Sequence, residues 1–230
     1  MTAWPFFTYF GGKWRIAKRY PKPTHDTLIE PFAGSAGYAV KWQHPKVRLY
    51  DLNQRVVGVW KYLIGATRRD ILALPTEVKH VDSLSCSEEA KWLIGFWLNK
   101  GCTEPKKTPS AWMRSGIRPK SMWGQAIKER IAHQLPLLKD WKVFHGSYAE
   151  IPNGQASWFI DPPYEKQGGL YTHSSIEYSH LADWCKGRNG QVIVCESSGA
   201  AWLPFRDFYV GKGLEGKRGK KRIHEAIWVK

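Results

Sequence analysis

Hydrophobic residues occur along the chain in short runs that alternate with amphipathic segments. Apolar runs with the length of buried strands occupy residues 27–32 (TLIEPF), 47–52 (VRLYDL), 143–145, 157–160 and 191–195 (QVIVC). Apolar residues at helical spacing occur in residues 36–43, 54–66, 88–100, 124–139 and 176–186. This alternation predicts an α/β fold built on a mostly parallel sheet.

The two remaining regions differ from this pattern. Residues 205–210 and 223–229 predict a closing pair of strands, joined by a glycine-rich basic link at 211–222 (GKGLEGKRGKKR) that has reach but little shape. Residues 101–123 are rich in proline, glycine and basic side chains and predict an irregular segment. We therefore expect a sheet domain formed by residues 1–85 and 140–230, with a helical and irregular insertion at 86–139.

Composition narrows the class of partner. The net charge is +15 over 230 residues, which favours a polyanionic partner, and the 43% apolar content argues against disorder. We expect no membrane span, because no apolar run approaches 18 residues, and no secretory signal at the N-terminus. The four cysteines lack CxxC spacing and the eight histidines are scattered, so we expect reduced thiols, no metal site and a cytoplasmic protein.

The sharpest chemical signal is the sequence Asp161-Pro162-Pro163-Tyr164, directly after a predicted strand. Open α/β sheets bind ligands at the carboxyl ends of their strands. The prolines stiffen the turn and remove backbone donors, which leaves a carboxylate and carbonyl oxygens beside an aromatic ring. Such a rim fits a flat ring bearing an amino group, as in a nucleobase. Asp and Pro are also common in ordinary turns, so the motif alone leaves a structural role open.

Two further motifs lie upstream. Residues 30–37 (EPFAGSAG) join the first strand to the first helix, and their glycines allow a ligand to approach the backbone. Asp51 ends the next strand, where nucleotide-binding folds place an acid that accepts hydrogen bonds from ribose hydroxyls. The full GxGxxG pattern is missing, which disfavours a dinucleotide and leaves a nucleoside without phosphates. Residues 9–13 (YFGGK) could bring backbone and an ammonium group close to a carboxylate.

In this order, the motifs YFGGK, EPFAGSAG, DLN and DPPY resemble the Dam-type DNA adenine N6-methyltransferases, a class I family of alpha motif order. Weaker similarity occurs at FWLNKG (96–101), FHGSYAE (144–150) and VIVCES (192–197). The resemblance implies a Rossmann-like methyltransferase sheet with an antiparallel closing strand. It also implies S-adenosylmethionine as methyl donor and an adenine flipped out of double-stranded DNA as acceptor.

The resemblance also assigns roles to residues. The donor would be contacted by Tyr9, Gly12, Lys13, Phe32, Gly34, Asp51, Ser147, Tyr148 and Asp161. Within this set, Asp51 would hold the ribose hydroxyls, and Ser147 and Tyr148 would flank the donor's adenine. Asp161 and Pro162 would hold the target amine, and Tyr164 would stack on the target base. Ala36 departs from the family, which often has glycine there, and this difference could crowd the donor loop.

The insertion at 86–139 occupies the slot where the family places its target-recognition segment, but it matches the family poorly beyond its first helix. Arg114 and Arg118 are candidates for reading guanine edges, with Trp112 interleaved among the basic side chains. Candidate phosphate contacts are Lys106, Lys107, Lys120, Lys217, Arg218, Lys220 and Lys221, followed by Arg222 in the same cluster.

Several alternatives stay open from the sequence. DPPY also suits methylation of cytosine N4 or of an RNA base, and a non-catalytic nucleic-acid-binding module with a degenerate donor site is a rival of another class. The compact chain is typical of a phage or bacterial enzyme, and a role in restriction–modification depends on a partner endonuclease that the sequence does not show. We expect a monomer, with a dimer left open.

Overall fold

The computed structural model describes residues 3–116, 121–166, 171–172, 174–216 and 219–230, and for residues 212–216 and 219–223 it describes the backbone alone. Its centre is a seven-stranded sheet of order β3-β2-β1-β4-β5-β7-β6. The strands are β1 (Leu28–Glu30), β2 (Val47–Asp51), β3 (Lys142–His145), β4 (Ala156–Ile160), β5 (Gly190–Ser197), β6 (Arg206–Gly216) and β7 (Gly219–Val229).

Strands β1 to β5 are parallel to one another, whereas β7 pairs antiparallel with both β5 and β6. This arrangement confirms the predicted fold class, a Rossmann-like methyltransferase sheet that is mostly parallel and has an antiparallel closing strand. The helices are α1 (Gly37–Trp42), α2 (Gln54–Gly65), α3 (Arg68–Ala73), α4 (Glu88–Leu98), α5 (Ala111–Arg114), α6 (Gln125–Gln134) and α7 (Tyr178–Lys186).

Side chains from both faces of the central strands are buried, which explains their nearly continuous apolar sequences. In β4, Phe159 belongs to a core shared with α1, α2, α4 and α6, whereas Trp158 and Ile160 point to the opposite face and pack with α7. Helix α4 also contacts α2, so the first part of the segment 86–139 lies on the main core. Whether this segment acts as a separate target-recognition unit stays a prediction.

One expectation about the C-terminal strands is wrong. The link at 211–222 is mostly regular, because β6 continues to Gly216 and β7 begins at Gly219, with Lys212 opposite Arg222 and Glu215 opposite Lys220. The glycines therefore lie within a long hairpin instead of a shapeless connection. Helix α3 is an addition that the apolar pattern did not predict, and a capping box formed by Thr67 and Asp70 starts it.

The chain's helices, where the structure describes them, include none that is both long and apolar enough to cross a membrane.

Candidate active site

A cleft opens at the carboxyl edge of the parallel strands. It contains about 970 Å³ of empty space, part of which is open to solvent. All of the candidate donor residues line it: Tyr9, Gly12, Lys13, Phe32, Gly34, Asp51, Ser147, Tyr148 and Asp161. Asp51 and Asp161 therefore open onto the same cavity, although they belong to the ends of β2 and β4, two strands that are separated in the sheet by β1.

In the loop after β1, the backbone of Gly34 lies close to the aromatic ring of Tyr9. Gly34 has φ +44°, and a Cβ added there would lie 2.9 Å from Cδ1 of Tyr9. Its amide donates to Oδ2 of Asp51 at 2.9 Å, while Oδ1 of Asp51 accepts from the Asn53 amide at 2.8 Å. Asp51 thus joins the loops that follow β1 and β2, and it fixes the edge of the cleft.

Ala36, where the resembled family often has glycine, is in the left-handed region with φ 46° and ψ 45°. This conformation carries a cost of about 1–2 kcal/mol for a residue with a side chain. The alanine at position 36 therefore occupies a backbone conformation that suits glycine, immediately before α1.

Lys13 and Asp161 form a buried ion pair at the centre of the cleft. The ammonium lies 2.8 Å from Oδ1 of Asp161 and donates to the Gly11 carbonyl at 3.0 Å, and Lys13 is 6% exposed. Burial lowers the pKa of Lys13, but the carboxylates of Asp161 and Glu225 outweigh burial and raise that pKa above its ordinary value. Burial raises the pKa of Asp161, and the Lys13 ammonium opposes this rise. Lys13 is therefore a fixed positive charge that orients one oxygen of Asp161.

Glu30, the last residue of β1, is a second buried carboxyl group lining the cleft. Its Oε1 accepts a hydrogen bond from the Ala39 amide at 2.8 Å. Burial raises the pKa of Glu30 to about 8, although that hydrogen bond lowers it and the charge of Asp161 raises it further. Glu30 is the first residue of the EPFAGSAG motif, and the sequence alone indicated no role for its carboxyl group.

The aromatic wall of the cleft comes from three segments. The rings of Phe32 and Tyr148 lie 5.5 Å apart, and the Tyr148 hydroxyl is 2.9 Å from Nδ1 of His180. Ser147 caps the short turn that carries Tyr148. Tyr171 packs against Phe10 with ring centroids 5.8 Å apart. This part of the wall, from the segment after DPPY, was missed because no local pattern marks it.

Glu104 connects the middle region to the cleft. Its Oε1 accepts from the Asn53 side chain at 2.8 Å and from Thr172 at 2.6 Å, and both of these residues line the cavity. Arg55 pairs with the second oxygen at 2.6 Å. The irregular region after α4 is thereby tied to the loop after β2 and to the segment after DPPY.

Pro162 and Tyr164 are described by the structure but lie outside the lining of this cleft. The Tyr164 hydroxyl donates to Oε2 of Glu225 at 2.5 Å, and its ring centroid is 4.9 Å from the Lys13 ammonium. The Pro163 carbonyl accepts from the Tyr178 hydroxyl at 2.7 Å. The DPPY turn is therefore held by side chains from α7 and β7.

None of the candidate DNA-contacting residues that the structure describes is among the residues that line the cleft. Trp112 is 39% exposed, Lys107 pairs with Asp82 at 2.8 Å, and Arg114 donates to the Pro109 carbonyl at 2.5 Å. Lys106 is exposed, and Lys220 and Lys221 lie on β7. Outside the described residues are Arg118, Lys120, Lys217 and Arg218. Across the described part of the chain, no group of three or more His, Cys, Asp or Glu side chains is arranged to hold a metal ion.

Comparison with known families gives one match. Residues 9–90 match the sequence model of the D12 class N6 adenine-specific DNA methyltransferases, which covers less than half of the chain. The matched region contains the YFGGK loop, the turn after β1 and Asp51, and it ends before DPPY. The match supports an enzyme of a methyltransferase family, and it does not separate the Dam-type subtype from other members.

Similar solved structures share little sequence with this chain. A conserved hypothetical protein of Streptococcus pyogenes is 12% identical over 87% of this chain and 84% of its own, with a TM-score of 0.36. An Escherichia coli protein whose description proposes a methyltransferase, yhhF, is 8% identical over 90% and 75%, with a TM-score of 0.35. A Haemophilus influenzae protein whose description proposes a methylase is 12% identical over 87% and 78%, with a TM-score of 0.34.

A search of curated proteins found no match.

Proposed function

We propose that this protein transfers a methyl group from S-adenosylmethionine to the N6 amine of an adenine in DNA. One observation carries the proposal: Asp51, the Gly34 turn and the Lys13–Asp161 pair all face one cleft at the carboxyl edge of the sheet. This is the edge where open α/β sheets bind nucleotides. The family match at residues 9–90 supports methyl transfer as the chemistry.

The residues of the cleft fit the donor. Asp51 offers a carboxylate at the end of β2, suited to ribose hydroxyls, and Phe32 and Tyr148 offer aromatic surface for an adenine. The space beside Gly34 is one that a side chain would fill, since an added Cβ would contact the Tyr9 ring. When bound, S-adenosylmethionine supplies a methyl group that carries the electrophilic character of its sulfonium.

Asp161 is the residue we assign to the acceptor amine. The lone pair of an adenine amine is delocalised into the ring, so its hydrogens must be held by acceptors while the nitrogen becomes pyramidal. The Asp161 carboxylate and the Pro162 carbonyl are such acceptors. Positive charge grows on this nitrogen as its bond to the methyl carbon forms and the carbon–sulfur bond of the donor breaks, and a fixed carboxylate stabilises this transition state more than the ground state. The donor's sulfur leaves as a neutral thioether, and the methylated nitrogen then releases one proton to solvent.

The surroundings of Asp161 suit this role. Its side chain is 20% exposed, so it reaches the cleft, and Lys13 holds one of its oxygens at 2.8 Å. A carboxylate held in place needs little reorganisation during the reaction. The charge of Lys13 also favours the ionised carboxylate, which the proposed role requires.

The target base cannot reach this site while it is stacked in a duplex. We therefore propose that the adenine is flipped out, at a cost of a few kcal/mol, and that Tyr164 is its stacking partner. The net charge of +15 supports a DNA substrate, because phosphate neutralisation drives sequence-independent binding.

The decisive experiment incubates the protein with labelled S-adenosylmethionine and DNA lacking N6-methyladenine, then identifies the methylated nucleoside by mass spectrometry after digestion. We expect N6-methyladenine from the wild-type protein. Asp161→Ala should lower the rate by at least about 10²–10³-fold, because the acceptor of the amine hydrogens is lost, while DNA affinity is retained.

Other outcomes would redirect the assignment. N4-methylcytosine would show that the amine belongs to cytosine, and label recovered only from RNA would exclude DNA as the substrate. If the wild-type protein binds neither S-adenosylmethionine nor DNA, the proposal is wrong. Near-normal turnover by Asp161→Ala would overturn the mechanism and leave the substrate in place.

A further inference from the structure

Another buried carboxyl group, that of Glu225, lies behind the DPPY turn. It is on β7, opposite Ser197 of β5, and it is 7% exposed. It is not among the described residues that line the cleft. Burying a carboxylate costs several kcal/mol unless hydrogen bonds and opposite charge compensate, so its partners identify what it does.

The direct partner of Glu225 is Tyr164, the last residue of the DPPY motif. The Tyr164 hydroxyl donates to Oε2 of Glu225 at 2.5 Å, across 61 positions of the sequence. Burial raises the pKa of this hydroxyl well above its ordinary value, and the charges of Asp161 and Glu225 raise it further. Tyr164 is therefore a permanent hydrogen-bond donor, and Glu225 fixes the far end of its ring.

Lys13 supplies the opposite charge. Its ammonium lies against Asp161 at 2.8 Å and 4.9 Å from the Tyr164 ring centroid, and Glu225 contributes to its raised pKa. Tyr20, Tyr171 and Cys195 also interact with Glu225, and burial raises the pKa of each, so all three remain neutral. The DPPY motif and its surroundings therefore contain one cluster of polar groups. It consists of the carboxylates of Asp161 and Glu225, the ammonium of Lys13 and the hydroxyl of Tyr164.

We propose that Glu225 is a positioning residue for methyl transfer. It acts through its hydrogen bond to Tyr164, the residue assigned above to stack on the acceptor base. This inference rests on the proposed function. Asp161 holds the amine hydrogens, whereas the plane of the base depends on the ring against which it lies. Fixing that ring aligns the acceptor nitrogen, and misplacement of about 1 Å in such a geometry costs about 100-fold in rate.

The test compares three substitutions by steady-state methylation and by equilibrium binding of S-adenosylmethionine. Glu225→Ala should lower kcat by about 10- to 100-fold, because the ring loses its anchor. Glu225→Gln keeps an acceptor oxygen for Tyr164 and should restore kcat to within about threefold of wild type. The matched control is Asp207→Ala, which removes an exposed carboxylate from the neighbouring strand β6 and should leave kcat unchanged.

Donor binding separates this role from a general loss of structure. All three variants should bind S-adenosylmethionine within about twofold of the wild-type dissociation constant, since Glu225 does not line the cleft. A structural role alone would lower thermal stability without changing kcat in the folded fraction. Recovery of kcat by Gln and not by Ala requires the acceptor atom.

Tyr164→Phe tests the same hydrogen bond from the other side and does not depend on the folding of Glu225→Ala. Tyr164→Phe keeps the ring and removes the hydroxyl group. We therefore expect kcat to fall by about 10-fold or more at unchanged donor affinity, because the ring loses its hydrogen bond to Glu225. The double variant should be no slower than the slower single variant, because both remove one interaction.

Three results would overturn the inference: kcat of Glu225→Ala within twofold of wild type, an unaltered kcat for Tyr164→Phe, or fully multiplicative losses in the double variant. Each differs from failure of the proposed function, in which the wild-type protein itself transfers no methyl group.

Discussion

At Gly34, both the backbone conformation and the space for a ligand require a residue without a side chain. Its φ of +44° is in the left-handed region, and a Cβ would lie 2.9 Å from the Tyr9 ring. A side chain there is strained by about 1–2 kcal/mol, and it would also displace a ring that lines the cleft. We expect Gly34→Ala to weaken S-adenosylmethionine binding by about tenfold or more, measured by isothermal titration calorimetry.

Gly65 provides the control for this substitution. It lies at the end of α2, and a Cβ added there would meet nothing within 4 Å. Gly65→Ala should therefore leave donor affinity unchanged. Equal donor affinity in Gly34→Ala and the wild type would show that the turn after β1 is not the donor loop.

Glu30 should make stability depend on pH. Its ordinary pKa is 4.5, and burial raises it to about 8 in the folded protein, so the folded state keeps a proton that the unfolded state releases. Between about pH 4.5 and 8 the folded state binds more protons, and the free energy of unfolding therefore falls as pH rises. Glu30→Gln mimics the protonated form and keeps an acceptor for the Ala39 amide.

The measurement is urea unfolding of both proteins from pH 5 to pH 8. We expect the advantage of Glu30→Gln over wild type to grow across this window and to level off near pH 8. A difference that stays constant with pH would show that Glu30 has an ordinary pKa in the folded state.

Local sequence signals located many of the residues that line the cleft because these residues follow the ends of strands. Strand β2 ends at Asp51, β4 is followed by Asp161, and the glycines lie in the turn after β1. The partners of the motif were not predictable in this way. Glu225 is 61 positions from Tyr164, and Glu104 is 51 from Asn53, so only the packed sheet brings each pair together.

At the scale of elements, apolar runs predicted the strands that are buried on both faces. Helix α3 was missed because it is short and starts from a polar capping box, so the pattern of apolar residues carries little of its signal. The hairpin was misjudged for the opposite reason. Glycines and lysines usually indicate a loop, but pairing of Lys212 with Arg222 and Glu215 with Lys220 continues the ladder.

The direction in which this hairpin extends places it at the same edge of the sheet as the cleft. Strand β7 pairs with β5 from Val229 to Glu225, and Glu225 is opposite Ser197 at the carboxyl end of β5. Residues 219–223 therefore continue past the edge of the sheet at which Asp161 follows β4. The basic residues of the hairpin are thus attached to the side of the molecule that contains the cleft.

At the scale of the whole molecule, the charge of +15 predicts strongly salt-dependent binding to DNA. Each neutralised phosphate contributes about −0.9 to the slope of log K against log salt, so five to eight contacts give roughly −5 to −7. The hairpin should carry part of this slope, because it extends from the cleft edge. Changing both Lys220 and Lys221 to alanine should make the slope less negative by about 1.8.

Lys139 and Lys142 make the control for this charge change, since they are exposed at the opposite edge of the sheet, at and just before β3. Their double alanine variant removes the same charge and should keep the wild-type slope if contact, and not net charge, sets the salt dependence. Fluorescence anisotropy of a labelled duplex, titrated at several salt concentrations, measures all three slopes. Equal reductions of the slope in the two variants would mean that the salt dependence follows the overall charge of the protein. A flat wild-type slope would exclude DNA as the partner, because phosphate contacts cannot form without releasing counterions.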